Sequence, residues 1–391
     1  MTTDDESPTE RIHPVKLFDV AKSEGRPLYV SAPMVRYSKL PFRLLVQNYG
    51  VDLTYTPMIL AHEFIRHPIA RSSDFSTHAT EGPVIAQFAA NNPIDYSRAT
   101  QLIAPWVNGV DLNCGCPQSW AIKEGIGCSL MNDRGLVSDL AKAARSAVGL
   151  GKSVSIKIRV HKDLRQTIDL IRTAETAGID FITIHHRTAH QRSSTPPLYD
   201  ALPILKSATT VPLIFNGAVT SLHPSKPTRP SQPTFTSTDS PTTDGTNRTD
   251  TSEETIDPTS ASSLHQRYNL DGIMAAQGLL ENPALFAGYT STPVHVIEEF
   301  MNYAVRGGLR TELIQHHLGE MMGKMVSKRD RKKLFDLRDL IEVCDWVEGV
   351  LGEGFERGMS PPVRRQASPL FHRSQSARGR VEIPVSLRSQ K

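Results

Sequence analysis

Eight short apolar runs, each followed by a stretch of helical character, constrain the fold of this chain more tightly than any other feature. They cover residues 29–34, 53–59, 83–90, 109–114, 153–159, 181–187, 212–217 and 271–278. The helical intervals include residues 39–49, 95–106, 136–148 and 164–177, where Leu164, Ile168, Ile171 and Ala174 follow the 3.6-residue period. Eight strand-then-helix units are what a closed (β/α)8 TIM barrel requires. Strands covered on both faces read as near-continuous apolar runs, as these do. A doubly wound open sheet is disfavoured, because Ser31-Ala32-Pro33-Met34 stands where that fold needs a Gly-x-Gly-x-x-Gly turn. The predicted architecture is an α/β barrel over residues 28–290, preceded by a polar leader at 1–27.

In such a barrel the chemistry lies at the carboxyl ends of the strands. Those ends carry Met34, Pro57-Met58, Gln87, Asn113 with Cys116, Lys157 with Arg159, His185 with Arg187, Asn216-Gly217 and Gln277-Gly278. Each has an ordinary explanation alone: His185 as a hydrogen-bonded core histidine, Lys157 as a stem extending its ammonium to solvent. Their convergence on one rim points instead to a site. The fourth run ends in Asp111-Leu112-Asn113-Cys114-Gly115-Cys116-Pro117. Strand alternation places Asp111 and Asn113 on one face and Cys114 on the other, as a packed thiol, while Cys116 leaves the strand end. Spacing alone leaves Cys116 either reactive or structural.

The ends of the seventh and eighth runs, Asn216-Gly217-Ala218 and Ala276-Gln277-Gly278, are rich in small residues. This is where many barrels bind a phosphate through backbone N–H groups. A phosphorylated cofactor would fit there, with Lys157 and His185 around its ring. Cys116, as a thiol, could then act as a general acid toward a substrate above that ring.

The remainder divides by composition. Residues 224–263 contain 25 Ser, Thr or Pro in 40 positions, too few apolar anchors to offset the entropy of ordering, so a disordered insertion is expected. Either residues 264–270 supply a shortened helix before the eighth strand, or the barrel is open there. Residues 291–356 read as a small all-helical domain, and 357–391 as a basic disordered tail. Residues 301–391 carry 17 Lys and Arg against 11 Asp and Glu, whereas the rest of the chain is net negative. The run Lys328-Arg329-Asp330-Arg331-Lys332-Lys333 suits phosphates, or is simply a solvated helix face. Four cysteines are too few for a disulfide framework, and the acidic start does not resemble a signal peptide. With no apolar run of membrane-spanning length, a cytoplasmic or nuclear monomer is expected, without a membrane partner. A metal site from Cys114, Cys116 and Cys128 is the weakest candidate, because no second pair follows.

The set Ser31-Ala32-Pro33-Met34, Leu112-Asn113-Cys114-Gly115-Cys116-Pro117-Gln118, Lys157-Ile158-Arg159, His185-His186-Arg187-Thr188, Asn216-Gly217 and Asp271-Gly272-Ile273-Met274 resembles the tRNA-dihydrouridine synthase family. The stretch from Ala32 to Leu40 and Gln87-Phe88-Ala89-Ala90-Asn91 are similar to the branch acting on D-loop positions 20a and 20b. The resemblance spans residues 29 to about 350 in order. It implies an FMN-containing barrel, NADPH or NADH as reductant, and a C-terminal helical domain that grips tRNA. It further implies hydride transfer to C6 of a uridine and protonation at C5 by Cys116. Carried over by position, the flavin is held by Ala32, Pro33, Met34, Gln87, Lys157, His185, Asn216, Gly217, Ala218, Ala276 and Gln277. Asn113, Arg159 and Arg187 would line the substrate side, and Lys328, Arg329, Arg331, Lys332 and Lys333 would meet tRNA phosphates.

Three positions depart from the family pattern. His186 replaces a glycine and is expected to add bulk beside the flavin, Ala218 replaces an aspartate, and Gln277 replaces a phosphate-binding arginine. These departures keep two further readings open: a catalytically weak tRNA-binding relative, and a flavin barrel that reduces free pyrimidines.

Overall fold

The computed structural model describes residues 11–224, 259–352 and 380–381. The first ten residues of the leader, most of the Ser/Thr/Pro insertion and nearly all of the basic tail lie outside the described residues.

The eight apolar runs form eight parallel strands: β1 (Leu28–Ser31), β2 (Thr54–Tyr55), β3 (Val84–Ala89), β4 (Gly109–Cys114), β5 (Ser153–Arg159), β6 (Phe181–His185), β7 (Leu213–Asn216) and β8 (Gly272–Ala275). Each pairs with its neighbour in chain order from β2 to β8, and β8 pairs with β1, Leu28 opposite Gly272. The ring closes between β1 and β2 through a parallel bridge from Val30 to Leu53, with the Asp52 N–H donating to the Tyr29 carbonyl at 2.9 Å. A short segment, Ile59–Leu60, pairs a second time with β3.

Alternation sorts the side chains. Val110, Leu112 and Cys114 of β4, Val154, Ile156 and Ile158 of β5, and Ile182 and Ile184 of β6 face outward and pack in the helix layer. Each fully buried aliphatic side chain there stabilises the fold by about 1.5–3 kcal/mol. Inside the barrel, Val30, Tyr55, Ile85, Phe181, Ile214 and Met274 close the amino-terminal end. Above them the inward positions turn polar, which leaves a hydrogen-bonding floor beneath the rim.

Part of the polar leader has a structural role. Val15–Ser23 is a helix whose Leu17, Phe18 and Ala21 pack under the barrel, the Phe18 ring 5.5 Å from that of Phe181. The segment flanking the insertion resolves the alternative left open by the sequence. Ala261–Tyr268 is a complete short helix, with Ser260 at its N-cap and Asn269 in the left-handed region at its C-cap. A bridge between Ser221 and Ser260 brings the two flanks together.

The carboxyl-terminal helices are Val294–Arg306, Thr311–Met321, Lys328–Asp336 and Leu340–Gly352. The apolar run after residue 311 is broken because the Ser327 hydroxyl accepts the Asp330 N–H at 3.1 Å and restarts the helix there. Phe300, Met301, Ala304, Ile314 and Leu318 share one core with Phe42, Leu45 and Val46 of the first barrel helix, Leu40–Asn48. His317 joins the two parts. It is fully buried among Tyr37, Phe42 and Phe300, and burial lowers its pKa to about 3, so it packs as a neutral ring. No helix among the described residues is long and apolar enough to cross a membrane.

Candidate active site at the carboxyl rim of the barrel

The rim begins with a buried polar layer. Asp111 is fully buried inside the barrel, where its two oxygens accept from Ser155 Oγ at 2.7 Å and from Gln87 Nε2 at 2.8 Å. Burial raises its pKa to about 6, partly offset by these two donors and by Lys157. One residue pair higher, Asn113 Nδ2 donates to Gln87 Oε1 at 2.8 Å. Its Oδ1 in turn accepts the N–H groups of Gly115 at 3.1 Å and Cys116 at 2.9 Å.

Four contacts fix the turn carrying Cys116. Besides Asn113, Arg159 Nε donates to the Gly115 carbonyl at 2.8 Å and the Cys128 N–H donates to the Cys116 carbonyl at 3.0 Å. Gly127, at φ +63°, approaches so closely that a Cβ there would lie 2.6 Å from the Cys116 carbonyl oxygen. Cys116 itself is half-buried against Ala89, Ala121 and Ile126. Cys114 faces the outer layer, fully buried, and burial pushes its thiol pKa well up. The two cysteines therefore pack in different places, Cys114 in the outer layer and Cys116 in the turn beyond the strand end.

Lys157 reaches the same rim from β5. Among the described residues its ammonium has no hydrogen-bond or ion-pair partner. Burial, then Arg159, brings its pKa down to about 8. His185 follows on β6. Its Nε2 meets Arg187 Nη1 at 2.9 Å, and a guanidinium can only donate, so Nε2 accepts and Nδ1 keeps the proton. Burial, followed by the nearby cations Lys157, Arg159 and Arg187, pushes the His185 pKa far down, so the ring is neutral.

Arg159 and Arg187 are both engaged by the surrounding loops. Arg159 Nη1 donates to the Thr188 carbonyl at 3.0 Å, while Arg187 donates to the carbonyls of Thr195 at 2.6 Å and Ser193 at 3.0 Å. His186 corrects one expectation. It points into the outer layer, where it is fully buried and its ring centroid lies 4.8 Å from that of Phe215. Its bulk therefore fills the space behind the strand end, because consecutive residues of a strand face opposite ways.

On the other side of the rim, Asn216 Nδ2 donates to the Met274 carbonyl at 3.0 Å and ties β7 to β8. No hydrogen bond among the described residues occupies the backbone N–H groups of Gly217 or Ala218. Beside them starts the short helix Gln277–Glu281, whose first N–H groups cannot be satisfied within the helix. A Cβ at Gly278 would stand 2.3 Å from the Val219 carbonyl, so glycine is what lets these two backbone segments meet. The Gln277 side chain is exposed and Nε2 donates to Glu281 Oε1 at 3.0 Å. On the β1 loop, Ala32 is buried, Pro33 and Met34 are half-buried, and the Met34 N–H donates to Ser38 Oγ at 3.0 Å.

The basic helix Lys328–Asp336 keeps Lys328, Arg329 and Lys332 exposed, while Lys333 Nζ is paired with Asp330 at 2.9 Å. Arg331 lies over Gly319 and Gly323 and within electrostatic reach of Tyr37, on the rim loop after β1. The structure thus gathers the strand-end residues on one rim and sets the basic helix beside it. Sequence reasoning missed Asp111 and Ser155; the signal available was a carboxylate in the middle of an apolar strand, on the face of Asn113. It also missed Arg36, an exposed non-glycine residue at φ +74° on the loop after β1, a strained conformation of the kind that collects at functional sites.

A family profile described as "Dihydrouridine synthase (Dus)" matches residues 30–228 and 254–346. A protein of Schizosaccharomyces pombe named tRNA-dihydrouridine(20a/20b) synthase is 39% identical over 361 residues, covering 92% of this chain and 96% of the relative. Its namesake in Saccharomyces cerevisiae is 37% identical over 385 residues, covering 96% and 94%. A human protein named as similar to this synthase is 38% identical over 335 residues, covering 85% and 93%. The profile match is interrupted within the Ser/Thr/Pro segment and covers both the Cys116 strand and the first three carboxyl-terminal helices, and on these grounds the chain belongs to the dihydrouridine synthase family.

Proposed function

We propose that this protein reduces uridines 20a and 20b of the tRNA D-loop to 5,6-dihydrouridine, using FMN and NADPH. The observation that carries the reading is the rigidly held Cys116 turn on the same barrel rim as Lys157, whose ammonium has no hydrogen-bond or ion-pair partner among the described residues. Relatives named for positions 20a and 20b, matched over almost their whole length, support the substrate.

The residues present fit FMN. The open N–H groups of Gly217 and Ala218 and the start of helix Gln277–Glu281 would hold the phosphate, and Lys157 supplies an uncommitted cation for the ring. When bound, the flavin supplies to uridine C6 the hydride that it receives from NADPH. Everything else falls to the chain. Cys116 donates the proton to C5, and its turn fixes where the thiol stands. Lys157 offers positive charge where negative charge accumulates, and His185 presents a neutral Nδ1–H donor. Because the target uridine must leave its stack to reach the rim, recognition of tRNA rests on shape and phosphate contacts, for which Lys328, Arg329 and Lys332 are exposed.

With Gln277 turned to Glu281, the phosphate is held by neutral donors. This weakens flavin binding by about 1–2 kcal/mol relative to an arginine contact, roughly tenfold, so flavin is expected to leave during dialysis. The decisive experiment maps dihydrouridine in tRNA from cells lacking the protein and after adding back flavin-loaded enzyme with NADPH. Restoration at 20a and 20b is the expected result. Unchanged dihydrouridine in those cells, or flavin that NADPH does not bleach, overturns the reading.

A further inference from the structure

We propose that Asp111 is a positioning residue for the Cys116 turn: its carboxylate sets the direction of an amide relay through Gln87 and Asn113 that ends on the backbone N–H groups of Gly115 and Cys116. The inference deepens the reading of Cys116 as proton donor and rests on it.

The argument follows from donor and acceptor inventory. An ionised carboxylate only accepts, so Gln87 must present its NH2 group to Asp111, 2.8 Å away. Its carbonyl oxygen then faces Asn113 and obliges Asn113 to donate, at 2.8 Å. That leaves Asn113 Oδ1, and not its NH2, facing the two N–H groups of the turn at 3.1 and 2.9 Å. Reversing either amide would set donors against donors in a buried space, where each unmatched group costs about 1–3 kcal/mol. The charge of Asp111 at one end and the two turn N–H groups at the other require the same orientation of both amides, so the relay is held in one direction. Ser155 Oγ, at 2.7 Å, occupies the other carboxylate oxygen and keeps the carboxylate from turning. Burial of Asp111 in an apolar strand is costly unless it is hydrogen-bonded, and Ser155 and Gln87 satisfy its two oxygens.

The titratable groups within electrostatic reach of Asp111 are Lys157 on β5, Tyr55 on β2 and, across the barrel wall in the outer layer, Tyr96 on helix Pro93–Ile103 and Cys114 on β4. Burial keeps both tyrosines and Cys114 neutral, and Lys157 is the one cation among them. Asp111 therefore loses its charge as pH falls through about 6, and the relay loses its fixed direction in the same range.

The test uses flavin-loaded Asp111→Asn, which cannot titrate and whose amide can face Gln87 with either end. Three readouts are compared with wild type: hydrogen exchange of the peptide containing Gly115 and Cys116, flavin reduction by NADPH, and single-turnover dihydrouridine formation against pH. The expected result is faster exchange at the turn, unchanged flavin reduction, a uridine step slower by about tenfold at neutral pH, and loss of the acid limb that wild type shows below about pH 6. Wild-type exchange protection in the variant overturns the proposal, as does a fall in both half-reactions together. If Asp111→Asn does not fold, Gln87→Met cuts the relay elsewhere and must loosen the same amides. Failure of the proton-donor reading is separable: active Cys116→Ala would refute that role while leaving the exchange result intact.

Discussion

The side-chain oxygen of Asn113 accepts the backbone N–H of Cys116 at 2.9 Å, so a residue inside the barrel wall holds the turn that carries the candidate acid. The same oxygen accepts from Gly115, and Arg159 holds the carbonyl of Gly115. The short turn is thereby fixed to its own strand β4 and to the neighbouring β5 before any substrate arrives, which is the form of preorganisation that general acid catalysis needs.

Cys116→Ala is expected to leave flavin reduction by NADPH intact and to slow dihydrouridine formation by about a hundredfold or more, measured by single turnover. Cys114→Ala should affect stability alone, since its side chain lies in the outer layer. A Cys114→Ala variant that is stable yet blocked at the uridine step would assign the acid to the wrong cysteine.

Gly127→Ala places a methyl group 2.6 Å from the Cys116 carbonyl oxygen and 3.0 Å from its Cβ, at a φ that side chains rarely adopt. The turn must shift. The expected outcome is a fall in kcat of roughly tenfold or more at nearly unchanged KM for tRNA, since small displacements at a reacting centre are costly.

Lys157 gives a pH signature with a definite sign. Its pKa of about 8 in the folded protein lies below the ordinary 10.5, so the fold disfavours its charged form. Stability of the flavin-free protein is therefore expected to rise as pH increases from about 8 toward 10.5, and Lys157→Met should remove that rise in thermal melts. The same variant should bind flavin about tenfold more weakly by fluorescence titration, through loss of a charge-assisted contact.

Arg43 and Glu81 form a buried pair, Nε to Oε1 at 2.6 Å, with Arg43 also donating to the carbonyls of Ser38 and Ser76 and Glu81 accepting from Thr77. It fastens the rim loop after β1 to the segment before β3. Arg43→Met strands the carboxylate and is expected to cost about 3–5 kcal/mol in denaturant unfolding. A loss below about 1 kcal/mol would mean that the loop repacks.

Reversing Lys328, Arg329 and Lys332 to glutamate should weaken tRNA binding and flatten the dependence of affinity on salt by about two to three contacts, with flavin content unchanged. Binding that keeps the wild-type salt slope would place the tRNA on another face.

Much of the barrel was legible because its determinants are local. Runs 109–114 and 153–159 coincide with β4 and β5: the first opens on Gly109 and is followed by Gly115 and Pro117, and the second follows Gly149 and Gly151, which leaves little freedom in where each begins. The weakest case was β2, where the run 53–59 splits into Thr54–Tyr55 and Ile59–Leu60 around Pro57. Helix Val15–Ser23 escaped notice because three buried side chains among polar neighbours make a weak signal until a barrel end exists for them to cover.

The sequence by itself determined the order of strands, the outward packing of Cys114, and the chemistry available at each strand end, because these depend on alternation and residue type. It could not decide how the polar residues use one another. That Asp111, Gln87 and Asn113 form one directed chain, and that the His186 ring meets Phe215, depend on distances between strands far apart in sequence. A buried polar group is satisfied by whatever closure of the barrel brings within about 3 Å, and only the tertiary structure sets that distance.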